Sequence, residues 1–412
     1  MVAMLPPNTS LNTILSLLSS SFLPERHYDL DRPLEDEVFK DHIKMCEANL
    51  KKINMYLEKE SDEKSLNKKF IVNAILLCGE HSKVETWTSS QTLAQAELLV
   101  KMLLAKSKCI SLSDLLLHCK IDTFLAELRP KLLKDSWKNN PAAVTSFIWI
   151  LFHIKCPHLG DVLSSVMPTS LLLVDDHVHS NKIKGLKCLE HLASNVSRAE
   201  LSQYGRGEVI YNALDHMIYL REPEIIPHLA ACLTVLLAKT ERSSTTENLS
   251  WSHFDDVLNI WLPSMEMEQK LLLREAYIAS LETLLQAMGL ASVRWSKKLL
   301  TILSEYCEQE HTRDKAISTL ITFMRTTWPR LSHNFHQIAG VLVRVVIQIS
   351  KNDKLSCDTS SRNSLKLVKQ CFSLMESVCH EEHKLFINDL KNCEDLKDCY
   401  VLITQYEERD YL

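Results

Sequence analysis

Histidine and aspartate side chains cluster in one short stretch of this sequence. His177 and His179 directly follow Asp175 and Asp176. Imidazole nitrogens and carboxylate oxygens are zinc ligands, and a turn could make these four side chains converge on a metal ion. Zinc sites, however, take paired ligands from two separated positions, and this stretch offers one. We therefore favour a turn braced by Asp176 with solvated histidines, and keep a helical metal-dependent enzyme as an alternative.

The C-terminal region holds a second group of potential ligands. Cys379, His380 and His383 lie in the sequence C-H-E-E-H. Its histidines are three residues apart, whereas the H-E-x-x-H zinc motif places them four apart, so we expect an ordinary helix surface. Three further cysteines lack the C-x-x-C spacing of redox or metal sites and are expected to be buried thiols: Cys371, Cys393 and Cys399.

The remaining sequence contains none of the short motifs that carry common enzyme chemistry. It has no G-x-S-x-G, no G-x-x-x-x-G-K-[ST] and no G-x-G-x-x-G motif that opens a helix. We therefore expect no catalytic residue, no cofactor and no enzymatic activity. A net charge of −5 and a pI of about 6.4 argue against nucleic acid as the main partner, because phosphate binding requires a basic face.

Cysteine usage and hydropathy bear on the location of the protein. The 13 cysteines are scattered singly, which is typical of reduced thiols and predicts a cytoplasmic or nuclear protein. The segment 11–23 is apolar but lacks the basic start of a secretory signal. No stretch approaches the roughly 20 apolar residues of a membrane-spanning helix, so we expect no membrane association.

Glycine is scarce, with 7 in 412 residues. Parallel sheets with phosphate loops and β-hairpins need glycine in their turns, so the chain fits neither class. Segments rich in leucine, lysine and glutamate instead predict helices joined by short polar turns. In the first part of the chain, apolar residues at helical spacing predict helices over 38–57, 70–78, 91–105, 112–133 and 142–154. Pro130 is expected to bend or end the fourth of these.

The later part of the chain has a repeat. Basic residues recur where apolar helices begin, near residues 183, 228, 273 and 313. The step of about 40–45 residues is the period of HEAT repeats. We therefore predict an all-α fold, an α-solenoid of HEAT- or armadillo-like helical hairpins over 111–412, preceded by an irregular helical region over 1–110. The polar stretches 240–252 and 351–363 are predicted loops.

Basic and aromatic side chains could form binding surfaces on such a solenoid. There are two groups of basic residues: Lys182, Lys184 and Lys187, and Arg294, Lys297 and Lys298. For each group we expect either that it braces the inner face of a helical repeat or that it binds an acidic peptide. Tryptophans recur in the second half, where an exposed one would be a binding hot spot: Trp251, Trp261, Trp295 and Trp328. We expect the partner-binding face in this second half.

The segment 168–192, P-T-S-L-L-L-V-D-D-H-V-H-S-N-K-I-K-G-L-K-C-L-E-H-L, has the pattern of one helical hairpin. It resembles the central signature of the TELO-two-interacting protein two family. In that signature, Pro-x-x-Leu, an apolar run and Asp-Asp precede Lys-x-x-Gly-Leu-x-Cys-Leu-x-His. The resemblance covers about residues 115–400. The signature positions, with Lys184 among them, are Pro168, Leu171, Asp175, Asp176, Lys182, Lys184, Gly185, Leu186, Cys188, Leu189 and His191.

This resemblance implies a non-catalytic scaffold subunit of the Triple T co-chaperone complex. Members of the family assemble with two other helical-repeat proteins. With the heat-shock protein 90 machinery they stabilise newly made phosphatidylinositol 3-kinase-related kinases. The implied roles of the matched residues are structural, with Asp176 and Lys184 at the hairpin turn and Gly185 and Cys188 at close helix contacts. The alternative is another helical-repeat adaptor, such as a transport receptor or a phosphatase scaffold.

Overall fold

The computed structural model describes residues 11–26, 36–59, 67–241, 250–351 and 359–404. These ranges contain twenty α-helices and several short 3-10 turns, and no β-strand. The prediction of an all-α fold is confirmed. The chain divides into two compact units, residues 1–204 and 205–412. The predicted limit at residue 110 falls inside the first unit.

The first unit contains ten of these helices, most of them buried on one face. They are α1 (Leu11–Ser21), α2 (Lys40–Lys59), α3 (Lys68–Glu80), α4 (Ser90–Lys106), α5 (Leu112–His118), α6 (Ile121–Leu128), α7 (Pro141–His153), α8 (His158–Val174), α9 (His179–Asn195) and α10 (Arg198–Ser202). Helix α1 covers most of the apolar segment 11–23 and buries Ile14 and Leu18 in this unit.

The second unit contains the other ten helices. They are α11 (Arg206–Asp215), α12 (Ile226–Thr240), α13 (His253–Met267), α14 (Leu271–Met288), α15 (Ser296–Glu308), α16 (Glu310–Thr326), α17 (Leu331–Lys351), α18 (Thr359–Val378), α19 (His380–Asn392) and α20 (Lys397–Thr404). Helices α12, α14, α16 and α18 pack in sequence as the second helices of successive hairpins. Trp261, Tyr277 and Tyr306 are among the largest side chains buried between the hairpins.

The repeat read from the sequence corresponds to real helices. The predicted openings near 183, 228, 273 and 313 fall in α9, α12, α14 and α16. Each of these helices begins two to four residues earlier, at His179, Ile226, Leu271 and Glu310. The basic residues therefore lie within the first two turns of the helices rather than at their first residues.

A recurring arginine links neighbouring hairpins. Arg274 and Arg313 are each the fourth residue of their helix, and both are buried. Arg274 Nη1 donates to the carbonyl of Glu268 at 3.0 Å and to Glu305 Oε1 on α15 at 2.8 Å. Arg313 donates to the carbonyl of Cys307 at 3.1 Å and to the side chain of Gln348 on α17 at 3.1 Å. The same side chain thus joins a turn to the first helix of the next hairpin, as a stacked repeat requires.

The predicted helix over 112–133 is wrong as a single element. The chain breaks between α5 and α6 at Lys120, whose φ of 63° lies in the left-handed region. Pro130 falls in a 3-10 turn, Arg129–Leu132. Side chains of both short helices, such as Leu115 and Phe124, are still buried, so the apolar period survives the break and conceals it in the sequence.

The two predicted loops can be compared with the structure only at their ends. Residues 242–249 and 352–358, the centres of both, lie outside the described residues. The end of the second loop is predicted wrongly, because α18 begins at Thr359. The side chain of Asn363, the last residue of that predicted loop, and that of the following Ser364 both donate to the carboxylate of Asp314 on α16.

One stretch, Leu271–Glu308, has the length and hydropathy of a membrane-spanning segment. It comprises α14, α15 and the 3-10 turn Gly289–Trp295 between them. Of its most apolar window, 56% is buried inside the structure. This burial is the pattern of core helices, whose apolar faces are covered by protein rather than lipid.

A buried polar cluster lies where α3 ends. Glu80 Oε2 accepts the backbone N–H of Leu23 at 3.1 Å, and the Lys131 ammonium is 3.9 Å from the same carboxylate. His81 contacts Thr88 Oγ1 at 2.8 Å and Cys46 Sγ at 3.1 Å. Burial raises the pKa of Glu80 to about 7 and lowers the pKa of His81 to about 3. This cluster ties the segment after α1 to the rest of the first unit.

Candidate partner-binding surface

The turn between α8 and α9 is built around Asp176. Its carboxylate accepts hydrogen bonds from Lys138 Nζ at 2.8 Å and Asn181 Nδ2 at 2.7 Å, and His177 Nδ1 lies 3.2 Å away. The side chain is buried, which raises the pKa of Asp176. The hydrogen bonds from Asn181 and Lys138 outweigh this and hold the pKa below its usual value. Asp176 is therefore an ionised structural centre that joins the turn to the segment before α7.

The neighbouring candidate ligands do not converge. Asp175, His177 and His179 are exposed. Across the described residues, no group of three or more His, Cys, Asp or Glu side chains is placed to hold a metal ion. This covers the histidines at 380 and 383 as well. The chemistry of the turn is therefore that of an ion pair and hydrogen bonds.

The C-terminal cysteines are mostly packed between helices. Cys371, Cys379 and Cys399 are buried, whereas Cys393 is half-buried. Burial raises the pKa of Cys371, Cys379 and Cys399 above the usual thiol value. A raised pKa leaves these sulfurs as unreactive thiols at neutral pH.

Other signature residues pack α9 against α8 and against the end of α7. Gly185 packs so closely on α8 that an added Cβ would lie 2.5 Å from the backbone nitrogen of Val174. Cys188 is fully buried, and burial raises its pKa to about 12. His191 Nε2 contacts the carbonyl of Ile154 at 2.9 Å. These contacts make the hairpin a rigid element without a reactive group.

The lysines of this hairpin have separate environments. Lys182 Nζ donates to the carbonyl of Val174 at the end of α8, at 3.3 Å. Lys184 is the sixth residue of α9 and half-buried. Burial lowers the pKa of Lys184, and the carboxylate of Glu85 opposes this. Lys187 is exposed, so the three lysines do not form a continuous basic stripe.

The second basic group is also divided. Arg294 forms an ion pair with Asp255 and lies over the ring of Trp251, 5.5 Å from its centroid. Lys297 is exposed and Lys298 is half-buried. Arg294 therefore braces the region around α13, and the other two leave at most a weak positive patch.

The four tryptophans fall into two classes. Trp261 is fully buried and donates its Nε1 proton to the carbonyl of Ile218 at 3.1 Å. Trp295 is half-buried and donates to Asp255 at 2.8 Å. Trp251 and Trp328 remain 56% and 60% exposed. The last two are available for contact with a partner, as hot-spot tryptophans are.

The second unit carries an exposed apolar group at the turn before α14, which we call the apolar edge. It consists of Tyr219, Met267, Leu271 and Leu272. Met267, Leu272 and Tyr219 are 77%, 66% and 64% exposed. Large apolar side chains this exposed and this close in the fold mark interaction surfaces.

An ion pair fixes the shape of the apolar edge. Arg221, two residues after Tyr219, donates to Glu268 Oε2 at 2.5 Å. Glu268 is buried next to Met267, and its other oxygen accepts the backbone N–H groups of Gln269 and Lys270 at 2.9 Å each. This ion pair joins the segment that carries Tyr219 to the segment that carries Met267, and both of these side chains are exposed.

The apolar edge was not predicted from the sequence, although the sequence contains a signal for part of it. Leu271, Leu272 and Leu273 are consecutive, and three consecutive residues of a helix cannot all face one core. Only Leu273 is buried. That Tyr219 belongs to the apolar edge could not be predicted from the sequence. The segment of Tyr219 is joined to the segment of Met267 by the ion pair between Arg221 and Glu268, which are 47 residues apart.

Comparison with known proteins finds similarity to one family over a range that contains the signature hairpin. Residues 118–310 match the model of the Tti2 family. The chain is 30% identical over 338 residues to human TELO2-interacting protein 2, an alignment that covers 77% of this chain and 65% of the human protein. The mouse protein is 30% identical over 335 residues, which cover 76% of this chain and 64% of the mouse protein. The chain thus spans a little under two thirds of these relatives.

Solved structures show the same fold without close sequence similarity. Importin beta superposes with a TM-score of 0.56 at 12% identity, over 88% of this chain and 45% of that chain. Kap121p gives a TM-score of 0.53 at 11% identity, over 92% of this chain and 35% of that chain. Both neighbours are HEAT-repeat proteins, and the predicted HEAT-like solenoid is confirmed.

Proposed function

The chain belongs to the Tti2 family, and from this premise we propose that it is a non-catalytic scaffold subunit of the Triple T co-chaperone complex. In this role it binds two other helical-repeat subunits, one of them a TELO2-like protein, as the names of its relatives indicate. The assembly acts with heat-shock protein 90 on newly made phosphatidylinositol 3-kinase-related kinases. Its place of action is the cytoplasm or the nucleus.

The observation that carries the proposal is the apolar edge. Met267 and Leu272 are more than 60% exposed, yet they lie in sequence beside Glu268, whose buried carboxylate accepts hydrogen bonds from Arg221, Gln269 and Lys270. A rigid support with exposed apolar side chains is the anatomy of a binding hot spot, because a partner gains apolar contact with little loss of conformational freedom. We propose that one subunit of the complex covers this edge.

Affinity purification of the tagged chain from cells tests both parts of the proposal. The wild-type chain should elute with two helical-repeat subunits in stoichiometric amount, and with the large kinases in smaller amount. Met267→Asp combined with Leu272→Asp should reduce recovery of one subunit at least tenfold, since charges would then be buried against an apolar partner. Leu385→Asp, at an exposed leucine of α19 in the same unit, is the matched control.

The outcomes separate the function from the site. A wild-type chain that elutes alone, or with transport or phosphatase partners, contradicts the Triple T role. Full recovery of both subunits by the double variant leaves the role intact and removes the apolar edge as the contact. Circular dichroism of each variant checks that the helices are unchanged. Metal analysis of the purified chain tests the metal-enzyme alternative, which requires a stoichiometric ion.

A further inference from the structure

A groove of about 810 Å³ opens on the first unit, between α6, the segment 129–134 and α8. Its floor is apolar, with Leu125, Leu128 and Leu132 buried beneath it. Leu133, at the rim, is 55% exposed. The opening and the exposed leucine distinguish the groove from a closed cavity left by imperfect packing.

One wall of the groove offers hydrogen-bond acceptors and hydroxyl groups. Pro168 lies inside α8 and lines the groove. Proline has no N–H, so the carbonyl of Ser164, four residues earlier, lacks its usual donor within the helix. The side chains of Ser164, Ser165 and Thr169 line the same wall. A backbone N–H from outside the chain can therefore find an acceptor here.

The opposite side of the groove is basic. Arg129 and Lys134 line it and are both exposed. Neither forms an ion pair with any residue that the structure describes. The only carboxylate in the lining is that of Asp122, which is seven residues from Arg129, or about 10 Å along a helix. The groove therefore attracts negative charge at the end where Arg129 and Lys134 lie.

We propose that this groove is a docking site for an extended peptide segment of a partner protein. The segment carries a leucine- or phenylalanine-sized side chain with Asp or Glu beside it. Its apolar side chain covers the leucine floor, its carboxylates pair with Arg129 and Lys134, and its backbone donates to the Ser164 carbonyl. Charge complementarity and the carbonyl that Pro168 leaves without a donor in the helix favour a peptide over a neutral small molecule. The site lies in the first unit and does not depend on the identity of the partners proposed above.

Selection of random 12-residue peptides by phage display on the full chain tests the proposal. The enriched peptides should combine acidic residues with leucine or phenylalanine. An enriched peptide labelled with fluorescein should bind the wild-type chain in an anisotropy titration. Arg129→Glu combined with Lys134→Glu should weaken that binding at least tenfold, because two attractive charge contacts become repulsive. Raising the salt concentration from 50 to 500 mM should weaken it as well.

A variant with the same change in charge provides the control. Lys51→Glu combined with Lys101→Glu alters two exposed lysines of the same unit that do not line the groove, and it should bind the peptide like the wild type. The proposal is overturned if no peptide is enriched, if the enriched peptides lack acidic residues, or if both double variants bind equally well. Leu133→Asn gives an independent check, since it removes an exposed apolar contact and should weaken binding without a change of net charge at the basic end.

Discussion

Gly185 and Gly340 permit a test of the hairpin packing with one substitution at two sites. Both glycines lie inside helices, in α9 and α17. At Gly185 an added Cβ would lie 2.5 Å from the nitrogen and 2.7 Å from Cγ2 of Val174. At Gly340 the nearest atom is the flexible end of Arg344, at 3.7 Å. Alanine should therefore have opposite effects at the two positions.

The expected change in the free energy of unfolding at each site follows from two opposing contributions. Alanine is favoured over glycine inside a helix by about 1 kcal/mol, which applies at both sites. At Gly185 the new methyl group meets backbone, so α8 and α9 must separate by about 1 Å, and overpacking of this kind costs about 1–3 kcal/mol. Because α8 and α9 form the most extensive helix pair of the first unit, we place the cost at about 3 kcal/mol. We expect Gly185→Ala to lower stability by about 2 kcal/mol and Gly340→Ala to raise it by about 1 kcal/mol.

Hydrogen exchange followed by mass spectrometry is the appropriate assay, because two compact units need not unfold in one step. Peptides from α8 and α9 should exchange faster in Gly185→Ala, and peptides from α17 should exchange more slowly in Gly340→Ala. Urea unfolding monitored by circular dichroism provides the free energies. If Gly185→Ala is as stable as the wild type, the close approach of α8 and α9 is not the reason for glycine at this position.

Three further predictions address charge and thiol chemistry. Asp176→Ala should destabilise the first unit by about 2 kcal/mol at pH 7, since the buried amide of Asn181 and the half-buried ammonium of Lys138 lose their acceptor. Because the native pKa of Asp176 is lowered, the difference in stability between variant and wild type should shrink below about pH 4 in urea titrations. The native pKa of Glu80 is raised from 4.5 to about 7, so its contribution to stability is fully present below about pH 4.5 and is lost as pH rises to about 7. Thermal melts of Glu80→Gln should lack the loss that the wild type shows between about pH 4.5 and 7, and an identical loss in both would refute this. Brief iodoacetamide treatment of the native chain should label exposed Cys156 before buried Cys188, as peptide mass spectrometry would show; equal labelling would contradict the burial of α9.

The fold was predictable because its determinants are local and repeated. Scarce glycine excludes most sheet architectures, and the period of about 40–45 residues specifies stacked hairpins. The break at Lys120 was not predictable, because the apolar residues on both sides keep a helical period. The start of α18 was missed for a related reason: the polar residues before Ser364 resemble a loop in composition, but their partner, Asp314, is on another helix.

The candidate sites depend more strongly on contacts between distant segments. The roles of Gly185 and Cys188 followed from the resemblance, and the structure places both at the contact between α8 and α9. The apolar edge and the groove combine residues from several elements, and no spacing in the sequence connects them. The same holds for Glu80, whose hydrogen bond to Leu23 spans 57 positions.

The repeated arginines affect how the chain folds during synthesis. Arg274 is buried and binds Glu305, which follows it by 31 residues. Arg313 likewise binds Gln348, 35 residues later. While the chain emerges from the ribosome, Arg274 and Arg313 each lack this side-chain partner until the first helix of the next hairpin has been translated. The hairpins that end in α14 and α16 are thus completed by their successors, and a ribosome that stalls within α15 or α17 leaves a guanidinium without its side-chain partner at the growing end of the stack.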